Sequence, residues 1–496
     1  MDYLSLFEND FLVLMPEIFL VYAACFLLMY GVLVSGAPEH AYVTNTGFLV
    51  ILSLGLALLL LVNGPVTDML LMYNTLKVDY FTFYVQAWIL IIGIGVVLMS
   101  FDYLKREKMY MYEYMVLVLL SCTSMLFMVA SYDLIAMYLA VEFQSLAFYV
   151  IAASQRDSEF STEAGLKYFF LGAFSSGILL FGSSLVYGYT GTTNLSDLAT
   201  LYTGFESLNV ASGGLYVGLM FVSVGFLFKL AAAPFHMWSP DVYQGSPTTV
   251  TAFFALTPKL AVLALLTKIL YVGFYDIMGP WQKVVMVCSL ASMVVGAIGA
   301  LGQTNIKRLL AYSSIGHVGY MLMGLASGSV EGIQAMFVYM VIYVAMTFTT
   351  FCIVLSVRTA DNKPVEYIHD LSHMSRSNPI LAMTLALTMF SMAGVPPLAG
   401  FCSKFYLFFT ALSSSLYPLA VVGVLSSVVS SFYYLRLIKT LYFDHTNTVH
   451  SYVSLDTEKA WVCALSFSVT MFLIMYPNPL FLASHKVALA LCALIR

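Results

Sequence analysis

Residues 228–248 read FKLAAAPFHMWSPDVYQGSPT, and this stretch decides how the chain folds. It lies inside an apolar segment, 213–254, that is about twice as long as the roughly 20 residues that one membrane crossing needs. Pro234, Pro240 and Pro247 interrupt the segment. Because proline lacks a backbone N–H and clashes with the preceding turn, the segment is predicted to form two half-helices joined by irregular backbone inside the membrane.

A second long apolar segment, 379–412, carries the same kind of interruption. It contains SMAGVPPLAGF at 391–401, with Pro396 and Pro397 between two glycines. Irregular backbone survives at membrane depth only where protein or water satisfies its polar groups. Interrupted helices in corresponding positions of two halves are typical of transporters built from internal repeats.

The composition excludes most other classes of protein. Of the 496 residues, 61% are apolar and 9% are charged, against roughly 25% charged in ordinary soluble domains. A net charge of −5 offers no basic excess for nucleic acid. The seven cysteines and eight histidines lack metal-site spacing, and no nucleotide-binding loop is present. We therefore expect no cofactor or metal in this chain, and the acidic N-terminus predicts no cleaved targeting segment.

The apolar runs predict an all-α polytopic membrane protein with about fourteen transmembrane helices. Continuous apolar runs such as 47–62 exclude the alternating strands of a membrane barrel. The predicted spans are 11–34, 43–62, 79–101, 111–130, 133–153, 162–189, 213–254, 257–273, 281–301, 306–327, 331–357, 379–412, 417–442 and 459–476.

The positions of the two broken segments predict an internal repeat. They are the seventh and twelfth spans, so spans four to eight and nine to thirteen can be superposed as two five-helix repeats. Because five is odd, the second repeat enters the membrane from the opposite side and is inverted. The predicted divisions are an N-terminal three-helix segment, the two inverted repeats, and a C-terminal helix with a tail. Their boundaries are 1–110, 111–275, 276–445 and 446–496.

Basic residues within the ends of the predicted spans or between the spans orient the chain. Five of them lie on the side that holds both termini: Lys77, Lys268, Lys283, Lys486 and Arg496. Twelve lie on the opposite side: Lys105, Arg106, Lys108, Arg156, Lys307, Arg308, Arg358, Lys363, Arg376, Arg436, Lys439 and Lys459. The positive-inside rule therefore places both termini away from the cytoplasm or matrix. The remaining four lysines are predicted to lie within helices: Lys167, Lys229, Lys259 and Lys404.

Titratable residues inside the spans predict a proton path. Glu142 and His317 occupy the second helix of each repeat, Lys229 and Lys404 lie beside the two breaks, and Lys259 begins the span after the first break. A charged side chain at the centre of a membrane helix costs about 2.5–3.5 kcal/mol on insertion scales. Burial disfavours the charged amine and a nearby carboxylate favours it, so such a lysine can gain or lose a proton as its partner approaches. A sodium or potassium site would need more carboxylates than Glu142 alone.

Each of the four main residues also has a structural interpretation. Glu142 and Lys229 could form a static ion pair between two helices. Lys259 could extend to the membrane interface, and the sole role of Lys404 could be to hold helices together. If all these charges only held helices together, the protein would be a structural membrane subunit without a proton path.

The supporting candidates have similar alternatives. Lys167 lies close to the start of its span, so it is either an interfacial anchor or a relay residue. His236, at the first break, either passes protons or satisfies a backbone carbonyl freed by the proline. His317, surrounded by small residues, is either a relay residue or a hydrogen-bonded core histidine.

The same stretches resemble a known family. FKLAAAPFHMWSPDVYQGSPT, RLLAYSSIGHVGYMLMG at 308–324 and GVPPLAGFCSKFYLF at 394–408 resemble the antiporter-like membrane subunits of respiratory NADH–quinone oxidoreductase, complex I. PDVYQGSPT, together with Lys404 where the subunit 4 type would have glutamate, indicates the subunit 2 branch, the N-type of bacteria. The resemblance covers roughly residues 10–475 and leaves the tail after Pro477 unmatched.

The resemblance implies a proton-translocating subunit of NADH:ubiquinone reductase that moves one proton per catalytic cycle, driven by quinone reduction elsewhere in the complex. It implies FMN, iron–sulfur clusters and ubiquinone on other subunits, and no redox centre in this chain. It implies roles for individual residues: Glu142 and Lys229 as the coupling pair, Lys259 as the central relay, Lys404 as the station at the second break, and Lys167 and His317 in support.

The implied partners are other membrane-arm subunits, namely the antiporter-like subunit 4 type and the small membrane subunits, together with lipids and no nucleic acid. The implied location is the mitochondrial inner membrane with both termini in the intermembrane space, or the plasma membrane of a bacterium. Two related alternatives share this fold: a subunit of a multi-component cation/proton antiporter and a thylakoid homologue of the complex.

Overall fold

The computed structural model describes residues 10–34, 39–64, 68–109, 111–202, 212–358, 364–372, 374–444 and 455–492. In these ranges the chain is mostly helical, and eleven helices are long and apolar enough to cross a membrane. Two shorter apolar helices, Gly213–Lys229 and Pro379–Ala393, precede the two breaks. A helical polytopic membrane protein is thereby confirmed, whereas about fourteen crossings in two inverted repeats stay a prediction. The loop residues Lys363 and Arg496, used to orient the chain, lie outside the described ranges.

The chain forms two compact units, of which the first comprises Met1–Lys229, Thr257–Trp281 and Lys486–Arg496. The described helices of its first segment are α1 (Met15–Val34), α2 (Glu39–Asn63), α3 (Tyr80–Arg106), α4 (Tyr112–Ala130), α5 (Leu134–Ala152), α6 (Glu159–Thr190), α7 (Leu195–Tyr202) and α8 (Ser212–Lys229). A hairpin of strands β1 (Met69–Leu71) and β2 (Leu76–Val78) connects α2 to α3.

The second unit comprises Leu230–Leu256 and Gln282–His485. After α8 the described helices are α9 (Trp238–Gly245), α10 (Thr248–Lys268), α11 (Met278–Leu301), α12 (Ile306–Ala326), α13 (Val330–Ser356), α14 (Met374–Ser377), α15 (Pro379–Ala393), α16 (Ala399–Ser413), α17 (Tyr417–Tyr442), α18 (Thr457–Phe472) and α19 (Asn478–Cys492). A π-helical turn, Ile269–Gly273, extends α10.

The predicted boundary between the seventh and eighth spans, at 254–257, is wrong. Helix α10 begins after Pro247 and continues through Pro258 to Lys268. Pro258 has no N–H to donate to the carbonyl four residues earlier, that of Phe254. The hydroxyl of Tyr243 donates to this carbonyl instead, at 3.1 Å. The helix therefore tolerates its proline because a side chain satisfies the freed acceptor.

The β1–β2 hairpin corrects the all-α prediction. Its strands pair antiparallel, with Met69 opposite Val78 and Leu71 opposite Leu76. Leu14, Leu71 and Val78 form a buried apolar cluster. Strands of three residues are too short to show the alternation by which a strand is recognised in sequence.

Close packing in the first unit fixes the helix that carries Lys229. Helix α8 packs along α6. A Cβ atom on Gly182 of α6 would lie 2.7 Å from the Val222 nitrogen and 2.9 Å from the Gly218 carbonyl oxygen of α8. Small residues let the backbones of membrane helices approach closely in this way. The position of Lys229, the last residue of α8, is therefore set by this contact.

The core of the second unit is α13, which is buried from Gly332 to Ser356. Helices α12, α15, α16 and α18 pack against it. The unmatched tail after Pro477 forms α19, and its first half joins this unit. Gln334 of α13 donates to the Phe481 carbonyl at 3.2 Å, and its Oε1 lies 3.0 Å from His485 Nδ1.

Candidate functional site

Glu142 and Lys229 lie in the first unit, on α5 and α8. The amine of Lys229 and the Oε1 atom of Glu142 are buried, and neither has a hydrogen-bond partner among the described residues. The two groups are close enough for their charges to interact. Ser145 donates to the other carboxylate oxygen, Oε2, at 3.3 Å, and Lys229 Nζ lies 5.9 Å from the centroid of the Tyr149 ring. The pair is coupled electrostatically without a direct hydrogen bond.

The first break begins immediately after Lys229. Ala231 lies in the left-handed region, with φ of 60°, which ends α8. His236, in the second unit, is buried with its Nδ1 atom lacking a hydrogen-bond partner in the described part of the chain. Its ring interacts with the backbone of Pro234, as expected if His236 satisfies a backbone carbonyl freed by the proline. The Nδ1 atom remains available to accept or donate a proton.

Lys259 lies in the first unit, immediately after Pro258 and near the middle of α10. Its side chain is only 4% exposed. The predicted span placed Lys259 near a helix start, where an extended side chain could reach the membrane interface. Burial in mid-helix does not favour that interpretation.

Lys404 lies in the second unit and caps the broken helix. Its Nζ atom donates to the carbonyl oxygens of Met392 at 2.8 Å and Ala393 at 3.0 Å. These two residues end α15, where the carbonyls have no helical partner. The amine also lies 5.3 Å from the centroid of the Tyr320 ring. Lys404 is therefore held by backbone carbonyls and an aromatic ring.

His317 lies between two tyrosine hydroxyls of the same unit. Its Nδ1 atom is 2.6 Å from Tyr339 Oη and its Nε2 atom is 3.1 Å from Tyr434 Oη. Both ring nitrogens thus have a partner that can donate or accept a proton. His317 and Lys404 line one cavity of about 10 Å³, which is about the volume that one water molecule needs. The structure therefore brings these two predicted residues together.

Lys167 lies near the beginning of α6 and is partly exposed. Its amine forms an ion pair with Glu163 at 2.7 Å, one helical turn earlier, and its side chain is 43% exposed. This placement fits the interfacial-anchor interpretation. Exposed pairs of this kind contribute about 0–1 kcal/mol to stability.

Other charged residues, at or close to the ends of the predicted spans, are buried. Lys77 and Lys268 were counted on one side of the membrane, yet they are 6% and 0% exposed. Asp79, at the start of α3, and Glu17, in α1, are also buried. Gln86 donates to Glu17 at 2.8 Å. All four lie near helix ends, where sequence alone cannot distinguish a buried charge from a solvated loop charge.

The described residues contain no group of three His, Cys, Asp or Glu side chains arranged to hold a metal ion. The buried ionisable groups named above are amines, carboxylates and two imidazoles, which exchange protons. Their chemistry fits a proton path.

Comparisons with known proteins identify the family. The family model described as NADH:quinone oxidoreductase/Mrp antiporter, transmembrane, matches residues 131–430. The chain is 52% identical to NADH-ubiquinone oxidoreductase chain 2 of Marchantia polymorpha, over 98% of this chain and 100% of that protein. It is 44% identical to NADH-quinone oxidoreductase subunit N of Parvibaculum lavamentivorans, over 97% of this chain and 98% of that protein.

A solved structure supports the same family assignment. A chain of respiratory complex I from Thermus thermophilus with bound aureothin matches with a TM-score of 0.78 and 28% identity, over 94% of this chain and 98% of that chain. The resemblance deduced from the motifs is confirmed, and the chain belongs to the NADH:quinone oxidoreductase/Mrp antiporter family of transmembrane proteins.

Proposed function

We propose that this chain is the subunit 2, or N-type, proton-translocating subunit in the membrane arm of NADH:ubiquinone oxidoreductase. Its relatives are named NADH-ubiquinone oxidoreductase chain 2 and NADH-quinone oxidoreductase subunit N, and they match over nearly their whole length. The observation that carries the proton function is the buried amine of Lys229, which interacts with the charge of Glu142 and has no hydrogen-bond partner among the described residues.

The mechanism follows from this pair. Burial disfavours the ammonium form of a lysine, and a nearby carboxylate favours it. A change in the Glu142–Lys229 separation therefore changes whether Lys229 holds its proton. When the carboxylate moves away, the ammonium of Lys229 gives one proton to a neighbouring base, and Lys259 is the base we assign in the same unit. When the carboxylate returns, Lys229 accepts a proton again.

A neighbouring subunit is well placed to move Glu142. On α5, Leu139 and Leu146 are exposed in the isolated chain, and they lie one turn before and after Glu142. A partner or lipid covers such an apolar surface in the membrane. Contact at this face would reach the helix that carries the carboxylate, which is how quinone reduction elsewhere would be transmitted.

In the second unit the proposed proton-relay residues are Lys404 and His317. They line one small cavity, so one water molecule there would connect the amine to the imidazole and its tyrosines. Lys167 and His236 remain supporting candidates, Lys167 as an exposed residue at the start of α6 and His236 through its available ring nitrogen.

The architecture that we propose for the whole chain has about fourteen crossings. It consists of a three-helix segment at 1–110, inverted five-helix repeats at 111–275 and 276–445, and a C-terminal helix and tail at 446–496. The excess of basic loop residues on one side favours both termini on the outer side, which is the intermembrane space in a mitochondrion. The proposed location is the inner membrane.

The redox chemistry belongs to other subunits in this proposal. FMN, iron–sulfur clusters and ubiquinone would be bound there, and this chain would contribute proton transfer alone. Its partners would be an antiporter-like subunit of the subunit 4 type, the small membrane subunits, and lipids.

A substitution of Lys229 tests the proposal. In the intact complex, Lys229→Met should preserve assembly and reduce NADH-driven proton pumping in membrane vesicles by roughly tenfold or more. Lys439→Met is the matched control, because Lys439 is an exposed lysine paired with Asp444 at the surface. Undiminished pumping by Lys229→Met would exclude this mechanism.

Purification from native membranes separates the two assemblies in which this fold could act. A complex that contains flavin and iron–sulfur clusters supports the oxidoreductase. An assembly without redox groups that exchanges cations for protons would support the multi-component antiporter instead.

A further inference from the structure

We propose that Lys268 is a further proton-exchange residue, located at the end of the first unit where the β1–β2 hairpin lies. The proposal rests on the proton-translocating function proposed above. It adds a residue that the sequence analysis only counted among the basic residues on one side of the membrane.

Lys268 is completely buried at the end of α10. Its Nζ atom donates to the carbonyl oxygens of Val129 at 2.9 Å and Ala130 at 3.3 Å. These are the last two residues of α4. The same amine lies 5.7 Å from the centroid of the Tyr132 ring.

This arrangement repeats that of Lys404 in the second unit. Each lysine donates to the last two carbonyls of a helix, and each lies between 5 and 6 Å from the centroid of a tyrosine ring. A neutral amine has two N–H bonds and an ammonium has three. Two carbonyl acceptors are therefore satisfied in both protonation states, so the side chain can lose a proton and keep its position.

Charged groups from other elements surround Lys268. Lys77 of β2 lies 5.5 Å from the centroid of the Tyr132 ring. Asp79, which caps α3, interacts with the charge of Lys268, and Asp197 of α7 interacts with Tyr132. Asp79 is 1% exposed, and its Oδ2 atom has no hydrogen-bond partner within the described ranges.

The buried part of this cluster carries an odd number of charges. With Lys77, Lys268 and Asp79 all ionised, one positive charge is left without a counterpart. Burying an unpaired charge is costly, and releasing one proton from an amine removes that cost. Because Lys268 keeps both carbonyl bonds after it loses a proton, it is the amine that can do so without rearrangement.

The proposed path leaves the unit at this cluster. The ends of α4 and α10, the start of α3 and the hairpin meet there, since Leu76 pairs with Ser131 and the Tyr132 nitrogen donates to the Thr75 carbonyl. Lys259 precedes Lys268 on the same helix by nine residues, or about 13 Å at 1.5 Å per residue. In the proposed step the Lys268 amine accepts one proton from inside the unit. The resulting ammonium releases it to water at this face.

The competing interpretation is purely structural. A cation at a helix C-terminus stabilises the helix, and Lys268 could serve only as the cap of α4. Arginine separates the two roles, because it supplies the charge and the hydrogen bonds of a cap and does not lose its proton in proteins. Glutamine is the complementary change, with an N–H₂ group that can donate to both carbonyls and no charge.

The experiment compares Lys268→Arg and Lys268→Gln in the intact complex, with assembly measured on native gels and proton pumping measured in membrane vesicles. We expect at least one variant to assemble, and each variant that assembles to lose proton pumping by roughly tenfold or more. Lys439→Arg is the control, because Lys439 is an exposed lysine outside this cluster, and it should pump within about twofold of the parent protein.

Wild-type pumping by either variant would overturn the proposal, and so would failure of both variants to assemble, since Lys268 would then be a structural cap. Lys404→Arg distinguishes this outcome from failure of the proposed function. If Lys404→Arg abolishes pumping and Lys268→Arg does not, only the assignment of Lys268 is wrong. If both pump normally, the proton function of the lysines is wrong as well.

Discussion

Gly394 lies against the side chain of Lys404: a Cβ atom at position 394 would come within 3.1 Å of Lys404 Cδ and 3.3 Å of Nζ. Gly394 also has φ of 91°, which an L residue rarely adopts. The glycine therefore serves two purposes at the second break, since it ends α15 and leaves room for the lysine that caps it.

Gly394→Ala should consequently destabilise the complex and impair proton transfer together. The left-handed backbone alone should cost about 1–2 kcal/mol, and displacement of Lys404 should lower the pumping rate. Thermal denaturation and proton pumping of the purified complex measure the two effects. Gly188→Ala is the control, because a Cβ atom there meets nothing within 4 Å and alanine is favoured in a helix.

Gly182→Ala should separate α6 from α8. The added methyl group would meet backbone atoms of Val222 and Gly218 at less than 3 Å, and backbone atoms cannot rotate away as a side chain can. We expect a loss of about 1–3 kcal/mol in stability and a lower turnover, because α8 carries Lys229. The melting temperature measures the loss of stability, and the rate of NADH oxidation measures the turnover.

Gly177→Ala, on the same helix, provides the comparison for that change. No atom lies within 4 Å of a Cβ at Gly177. Equal stability of the Gly182 and Gly177 variants would show that the α6–α8 contact does not determine the position of Lys229.

The sequence was sufficient to find the buried residues in the middle of spans. Glu142 and Lys229 stand out because each is an isolated charge within a long apolar run, where insertion is costly. The two breaks were equally visible, because proline and glycine interrupt apolar segments that are too long for one crossing. These features depend only on neighbouring residues along the chain, so they can be recognised in the sequence.

Features that depend on tertiary contacts were not visible. Lys268 and Asp79 lie at helix ends, where an ionised residue in a loop is ordinary, and only the fold shows that other elements bury them. The predicted boundary at 254–257 does not exist, because α10 continues through Pro258 and the donor that compensates for this proline, Tyr243, comes from another helix. No sequence pattern indicates such a partner.

Tyr243→Phe should destabilise the chain because it removes the hydroxyl that donates to the carbonyl of Phe254. Loss of this buried hydrogen bond should cost about 0.5–1.5 kcal/mol. In a Pro258→Ala background, the backbone N–H of residue 258 can satisfy the same carbonyl. The cost of Tyr243→Phe should therefore be smaller there.

A double-mutant cycle on the melting temperature of the purified complex measures this coupling. Equal costs of Tyr243→Phe in the two backgrounds would mean that the tyrosine does not compensate for the proline. The interrupted hydrogen bonding around residue 258 would then need another explanation.

Tyr339→Phe and Tyr434→Phe should each reduce proton pumping without preventing assembly. Each change removes one hydroxyl from a ring nitrogen of His317, and loss of a hydrogen bond costs about 0.5–1.5 kcal/mol, too little to unfold a large membrane assembly. A proton that passes through His317 must enter at one ring nitrogen and leave at the other. Both hydroxyls are therefore needed for the transfer.

Tyr343→Phe is the matched control for these two changes. The Tyr343 ring lies 5.3 Å from the His317 ring, centroid to centroid, but its hydroxyl donates to the Ala255 carbonyl at 3.2 Å. The three variants thus lose one buried hydroxyl each within one aromatic cluster, and only two of them lose a contact with the imidazole. Pumping should fall in Tyr339→Phe and Tyr434→Phe by a larger factor than in Tyr343→Phe, at similar levels of assembled complex. Equal reductions in all three would show that the cluster acts through packing and that His317 does not carry the proton.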